Sequence, residues 1–219
     1  MLGEVLCLST KEAIDFLLPR HYSGRIPSIT YAFGWKVYGK LQAVYTFGKP
    51  ASPYLCKGIC GEQYKKNVYE LNRLCREEDF RFPLSEFVGA CLRRLRPLNI
   101  IVVSYSDTAM HHNGYIYQAC NFIYTGQTKS RTDIYCGKNK HSRHYTQEER
   151  NSPIRVVRSA KKRYVYFCTL DKHLKKKWKE ALNYPILPYP KEQNQNYVLG
   201  TYIKPTLINT KTGETFYEV

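Results

Sequence analysis

Residues 99–126, NIIVVSYSDTAMHHNGYIYQACNFIYTG, decide how this chain folds. The β-branched run Ile100-Ile101-Val102-Val103 lies between Pro97 and the polar Ser104-Tyr105-Ser106-Asp107, the pattern of a buried strand that ends at a polar edge. After a His-His-Asn-Gly connection, Tyr115, Ala119 and Phe122 fall on helical spacing, and the apolar Phe122-Ile123-Tyr124 returns until Gly126 stops it. The unit is strand, polar loop, short helix, strand. Ligands of open α/β sheets collect at the carboxyl ends of strands, so Ser104, Tyr105, Asp107, His111 and His112 stand where chemistry is expected.

Upstream, Val68-Tyr69-Glu70-Leu71-Asn72-Arg73-Leu74-Cys75 alternates apolar and polar residues and predicts a central strand. Burying Glu70 or Arg73 is costly unless each is paired or meets a charged ligand, which makes this edge a site candidate; an ordinary Glu–Arg pair on the solvent face is the alternative. Between the two strands, Leu84, Phe87, Val88, Cys91, Leu92 and Leu95 follow three-four spacing, a helix with Ser85 as its expected cap. The free amides at its start, with Ser85, Glu86, Phe87 and Gly89, make a potential phosphate or pyrophosphate site.

Earlier still, Ser9-Thr10-Lys11-Glu12 matches a capping box ahead of a helix over Thr10 to Leu18, ended by Pro19. His21 follows in a loop between two cations, either as a catalytic group or as a local hydrogen-bonding residue. Strands over Thr30 to Tyr38 and Leu41 to Phe47, turned at Gly39-Lys40, form a hairpin. Lys49 to Lys66, rich in Gly, Pro and Cys, reads as a loop. Cys56 and Cys60 within it, with Cys136, His141 and His144 downstream, lack the tight ligand pairs of a zinc site.

The chain carries 34 Lys and Arg against 18 acidic residues, a net charge of +16 that favours a polyanionic partner, nucleic acid first. Its 20 Tyr, nine Phe and two Trp make rings available for base stacking, with Tyr54, Tyr105, Tyr115 and Tyr145 as candidates. The basic stretches fall within 129–163: Lys138, Lys140 and Arg143 in one cluster, and Arg158, Lys161, Lys162 and Arg163 in another, both suited to the phosphates of double-stranded DNA. A strand over Arg163 to Cys168, a Lys-rich helix over Lys172 to Ala181, an extended Pro185–Pro190 connector and short strands within Tyr197 to Val219 complete the chain. No leader pattern and no apolar run of about 20 residues is present, which predicts a cytoplasmic protein with no membrane partner and reduced cysteines.

The order of these elements resembles the GNAT acyltransferase superfamily, in which two splayed central strands and the helix between them hold an acyl-CoA. That resemblance implies a mixed α/β (α+β), largely antiparallel sheet flanked by helices, here as a catalytic domain over 1–184 with a basic C-terminal extension over 185–219. The glycine-rich pyrophosphate loop of the superfamily is replaced by Glu78-Asp79-Phe80-Arg81-Phe82-Pro83. The strings VYELNRLC, SYSDTAMHHNGYIYQACNFIYTG, KKRYVYF and LPYPK are similar to a narrower group, the Mom family of phage DNA-modification proteins. The resemblance implies a transferase that places a carbamoylmethyl group on N6 of adenine in DNA and so shields it from host restriction enzymes. Asp107 and Tyr117 match the family's functional Asp and Tyr, and Arg73, His21 and Ser104 are further assignments. The implied donor is a small molecule, acetyl-CoA or a related acyl donor, and the sequence does not support iron through His21, His111 or His112, leaving any metal unknown. Two other readings stand beside this one. A conventional acetyl-CoA-dependent N-acetyltransferase acting on a protein or small amine would need the missing glycine loop, and a non-catalytic DNA-binding anti-restriction protein would use the charge and the rings only.

Overall fold

The structure, a computed structural model, describes residues 3–135, 145–193, 195, 199–200 and 203–217. The β-branched and aromatic runs form strands β1 (Glu4–Cys7), β2 (Tyr31–Val37), β3 (Lys40–Gly48), β4 (Val68–Arg76), β5 (Ile100–Asp107), β6 (Ile123–Gln127) and β9 (Lys161–Cys168) of one sheet, ordered β1-β2-β3-β4-β5-β9-β6. Every pairing in it is antiparallel except that of β4 with β5. A second sheet, β11-β10-β8-β7, joins β7 (Arg131–Ile134) and β8 (Ile154–Arg158) to the tail strands β10 (Thr206–Asn209) and β11 (Thr215–Tyr217). The fold is a mixed α/β, largely antiparallel sheet flanked by helices.

Side-chain alternation along β5 assigns the two faces of the main sheet. Ile100 and Val102 join a core with Tyr45, Phe47, Phe87 and Leu92 under α3 (Leu84–Leu95) and α4 (Tyr115–Ala119). Ile101 and Val103 join Ile59, Val165 and Trp178 under α2 (Pro53–Cys60) and α6 (Lys172–Glu180). Helix α1 (Thr10–Leu17) packs Ala13, Phe16 and Leu17 on Ala32 and Val44, and its expected capping box is present, with Glu12 N donating to Ser9 Oγ at 3.2 Å.

The parallel pair is what shapes the site. Pairing runs from Val68↔Ile101 to Leu71↔Ser104 and stops, although β4 continues to Arg76 with β3 and β5 continues to Asp107 with β9. The reason is local: Phe47 faces Leu71 and Thr46 faces Arg73, so Asn72 is an extra residue that bulges β4 away from its neighbour. Asn72 is held in that bulge by Thr46 Oγ1, which donates to its Oδ1 at 2.7 Å, while its Nδ2 donates to Ser28 O at 2.6 Å. The two strands therefore fork just past Leu71 and Ser104.

Several expectations are corrected. Residues 49–66 are not a loop: Pro53 at the first helical turn starts α2, Ile59 and Cys60 form its buried end, and Gly61, at φ 89°, ends it before a 3-10 turn over Glu62–Asn67. Ser85 does not cap α3; Pro83 holds that position without a side-chain hydrogen bond, because proline's fixed φ starts the helix two residues early. The edge strand β1 and the strands β7 and β8, with α5 (Gln147–Arg150) between the latter, had no counterpart in the sequence reading. Among the described residues no helix is long and apolar enough to cross a membrane.

From α6 the chain returns as a strap over the edge of the main sheet. Leu187 N donates to Tyr124 O at 3.0 Å, Tyr189 OH to Phe122 O at 2.7 Å, Gln195 N to His111 O at 3.2 Å and Gly200 N to Arg20 O at 3.3 Å. Its central pin is Glu192, which accepts from Lys162 Nζ on its carboxylate and from Asn113 Nδ2 on its carbonyl. The Lys162 side chain is 5% exposed against 69% for Glu192, so the pair is asymmetric. Glu192→Ala leaves an ammonium buried without its counter-charge and should cost about 1–3 kcal/mol, whereas Lys162→Met removes the charge with its penalty and should stay within about 1 kcal/mol of the parent. Urea unfolding of both variants measures this, and equal losses would show that Lys162 is solvated instead.

Candidate active site

The fork gathers side chains from four segments. From β5 come Ser104 and Asp107, from β4 Glu70 and Arg73, from α4 Tyr117, and from the loop after α1 His21 and Tyr22. Ser104 is fully buried and its hydroxyl donates to Leu71 O at 3.2 Å, across the last rung before the strands part. The Tyr117 hydroxyl lies beside Ser104, and its ring sits against Phe122 and Tyr164 with centroids at 5.4 and 5.3 Å. Burial pushes its phenol up to about 12, the Ser104 contact opposing, so at neutral pH it stays protonated and can donate.

Asp107 closes β5 and is held by three donors. Its Oδ1 accepts from Ala109 N at 3.0 Å and Ser159 Oγ at 2.5 Å, and its Oδ2 pairs with Lys161 Nζ at 3.1 Å. Burial raises its carboxyl, but the Ser159 hydroxyl, the Lys161 ammonium and the Ala109 amide together hold it below the ordinary value. It is an ionised, oriented acceptor and also the cap of the 3-10 turn Thr108–Met110. Glu70 is its opposite: burial raises its carboxyl, with the Arg73 and Lys161 charges only partly opposing, which is the signature of a proton acceptor nearer neutrality.

Arg73 turns back to the chain, its Nη1 donating to Asn72 O at 2.7 Å and its Nη2 to Arg25 O at 3.5 Å, so it ties the loop after α1 to β4. His21 is neutral: burial, with Arg73, His112 and Lys161 around it, pushes it down to about 3, and its Nδ1 accepts from Ser23 N at 3.2 Å. That is the local hydrogen-bonding alternative, made visible. Its ring stacks on Tyr22 at 4.4 Å, and Tyr22 meets His112 edge-on at 6.2 Å. The Tyr22 phenol is raised by burial and by Asp107 and Tyr117. Sequence reading missed Tyr22 and Ser159 altogether; the adjacency of Tyr22 to His21 was the one available signal.

The expected DNA-binding cations are redistributed. Lys161 belongs to the site through Asp107, and Lys162 is buried against Glu192. Arg163 lies 3.3 Å over the Tyr184 ring and donates from Nε to Thr125 Oγ1 at 2.9 Å, while Arg158 pairs with Asp133 at 2.9 Å. A charge count cannot see these partners. Lys138, Lys140 and Arg143, with Cys136, His141 and His144, lie outside the described residues. Of the ring candidates, Tyr54 and Tyr115 are 86% and 65% exposed, Tyr105 is half-buried beside Glu70, and Tyr145 bonds Ile134 O in the second sheet.

The start of α3 is a poor fit for a coenzyme pyrophosphate. Phe87 is fully buried against Trp35 and Tyr45, so it is a core residue and not a ligand contact. The preceding loop carries Glu77, Glu78 and Asp79, with Glu77 held by Arg20 at 2.8 Å and Phe80 and Phe82 packed on Trp35. Glu86 adds a carboxylate to the first turn, Ser85 presents its carbonyl to Cys120 Sγ at 3.6 Å, and a side chain at Gly89 would meet only Arg93. Repulsion from these carboxylates opposes a doubly charged ligand there. Among the described residues no group of three or more His, Cys, Asp or Glu is placed to hold a metal ion, and the described cysteines are free thiols.

Among solved structures the chain is similar to an N-acetyltransferase from Staphylococcus aureus Mu50, with 11% identity over 76% of this chain and 99% of that one at a TM-score of 0.47. It is also similar to a Bacillus subtilis acetyltransferase in complex with CoA (12% identity, 75% and 98% covered, TM-score 0.41) and to an IAA acetyltransferase from Bacillus cereus (12%, 75% and 99%, 0.43). No curated protein sequence matches. The model of the Mom protein family matches residues 4–191, from the first strand through the fork to the strap, and the chain therefore belongs to the Mom protein family.

Proposed function

We propose that this protein is a transferase that modifies the exocyclic amino group of adenine in double-stranded DNA, adding a carbamoylmethyl group at N6. The observation that carries the reading is the meeting of Asp107, Tyr117, Ser104 and Glu70 at the fork of a Mom-family sheet. The N6 lone pair is delocalised into the purine ring, so attack needs an oriented amino group and removal of its proton. Asp107, ionised and fixed by three donors, orients the amino group through an N6–H hydrogen bond. Glu70 accepts the proton, because its raised carboxyl is the stronger base of the two. Tyr117 supplies the hydrogen bond, or the proton, that the departing group of the donor requires. No step is assigned to a coenzyme pyrophosphate, and the acidic loop before α3 counts against a conventional acetyltransferase. A target adenine must leave the helical stack to reach the fork, at roughly a few kcal/mol, and Tyr22 and His112, with His21 stacked on Tyr22, are rings near Asp107 that can face it. Protection of phage DNA from host restriction is the biological role this product would serve.

Nucleoside mass analysis of DNA from cells expressing the protein or its Asp107→Asn form tests the reading. A new adenosine species with the intact protein alone is the expected result, and unaltered nucleosides from soluble protein would refute it. Glu70→Gln is expected to lose the product while gaining stability. The folded Glu70 carboxyl titrates above its unfolded value, so at neutral pH its ionisation costs the folded state, a cost that vanishes below the unfolded carboxylate range. The Tm gain of Glu70→Gln should therefore appear at pH 7 and fade in acid, and parent activity should fall as pH drops through the raised pKa. A Tm that falls at pH 7 would show that Glu70 is a structural group.

A further inference from the structure

The Lys-rich helix α6 is anchored by a narrow apolar stripe: Trp178 is fully buried between Phe167 and Tyr64, and Leu174, Ala181 and Leu182 pack beside it. Lys172, Lys175, Lys176 and Lys179 are spaced i, i+3, i+4, i+7, which places them on one exposed ridge of that helix. Among the described residues only Lys176 of the four has an acidic partner, Glu180 at 3.9 Å. Such a ridge opposes its own helix twice. Its like charges repel along the face, and Lys172 and Lys175 lie in the first turn, where the dipole favours anions. Arg158, Lys161, Lys162 and Arg163, by contrast, are each engaged by other groups of the protein, namely Asp133, Asp107, Glu192 and the Tyr184 ring.

The ridge begins at the end of the sheet away from the fork, where Cys168, four residues before Lys172, pairs with Ile100, and from there the chain runs back toward it. Past α6 the chain reaches Tyr184, whose ring lies under Arg163, and Arg163 is the cross-strand partner of Tyr105, on the strand that ends at Asp107. A nine-residue helix is only about 13 Å long, shorter than one turn of a DNA duplex. We infer that the α6 ridge of Lys172, Lys175, Lys176 and Lys179 is a phosphate-contacting surface that holds double-stranded DNA away from the fork, so that a bound duplex reaches from the ridge toward it. This rests on the proposed function for the identity of the polyanion. The four ammonium groups neutralise successive backbone phosphates without reading sequence, and their mutual repulsion is relieved when DNA is bound.

The test is fluorescence anisotropy of the full chain with a labelled duplex oligonucleotide over a range of salt concentrations. It compares the parent, the quadruple variant Lys172→Gln, Lys175→Gln, Lys176→Gln, Lys179→Gln, and a charge-matched control with Lys11, Lys40, Lys204 and Lys211 changed to Gln. The ridge variant should bind the duplex roughly tenfold or more weakly near 0.1 M salt, with a salt slope about 3–4 units shallower. The control should keep the parent's slope, and the ridge variant should melt no lower than the parent. Parent-like binding by the ridge variant would overturn the inference and leave the reading of the fork standing. Equal weakening of both variants would overturn it in favour of net charge alone. A parent that binds no duplex at any salt would overturn both the inference and the function on which it rests.

Discussion

Tyr117→Phe is expected to lower adenine modification by about 10²–10⁴-fold while the protein remains folded, because the substitution removes one hydroxyl and keeps the ring. The ring contacts with Phe122 and Tyr164 survive, and Ser104 retains its acceptor at Leu71 O. The stability change should be that of one neutral hydrogen bond, about 1 kcal/mol, or a few degrees in Tm for a chain of this size. What disappears is a donor that burial keeps protonated beside Ser104, with its phenol pushed up to about 12. The measurement is a time course of the modified nucleoside in DNA, so that a slow variant is not hidden by complete conversion, with Ser104→Ala beside it. Ser104→Ala removes the hydroxyl beside the phenol and should slow the reaction less than Tyr117→Phe. An undiminished rate for Tyr117→Phe would remove the phenol from the chemistry and leave a core ring whose hydroxyl is merely satisfied.

The elements whose signal is local were legible in the chain alone. The Ser9–Glu12 capping box, the three-four spacing of α3 and the Ile100–Val103 run each carry their own period or cap, and each appears where expected. Helix α2 was hidden because its Pro and Gly residues look like loop punctuation, although Pro53 starts the helix and Gly61 ends it. Strands β7 and β8 were hidden because Arg131, Asp133, Arg155 and Arg158 interrupt their apolar residues, and alternation is read from apolar residues. At the site, Ser104, Asp107 and Tyr117 could be picked out because the strand, loop and helix that hold them are continuous. The partners that set their chemistry could not. Glu70 comes within electrostatic range of Tyr117 only because β4 pairs in parallel beside β5, and Ser159 and Lys161 meet Asp107 only because β9 returns antiparallel along β5. A sequence reports that a lysine is positive; whether it faces a phosphate, a carboxylate or the interior is decided by pairings between distant segments.

Gly114→Ala is expected to cost the protein both stability and activity. Gly114 sits at φ +81° at the start of α4, in the left-handed region that costs an alanine about 1–2 kcal/mol, and the added Cβ would lie 2.4 Å from the Tyr164 ring. That ring is fully buried and its hydroxyl donates to Asn113 O, so it has no room to withdraw. Overpacking adds about 1–3 kcal/mol to the backbone term, and the total should be about 2–5 kcal/mol in urea unfolding. The functional loss should exceed the fraction unfolded. Gly114 is the hinge between the turn capped by Asp107 and the helix that carries Tyr117, and the strap fastens that hinge through Asn113, which donates to Glu192 O, and Gln118, which donates to Pro190 O at 3.4 Å. A shift of α4 of even an ångström moves the Tyr117 hydroxyl off Ser104 while Asp107, fixed on β9 by Lys161, stays in place. The decisive comparison is Gly114→Ala alone and combined with Tyr164→Phe, which removes the hydroxyl that pins the ring. The double variant should recover part of both stability and activity, since the ring can then tilt away from the methyl group. If the double variant is no better than Gly114→Ala, the damage comes from the left-handed backbone alone, and Tyr164 is not the wall that sets the distance between Asp107 and Tyr117.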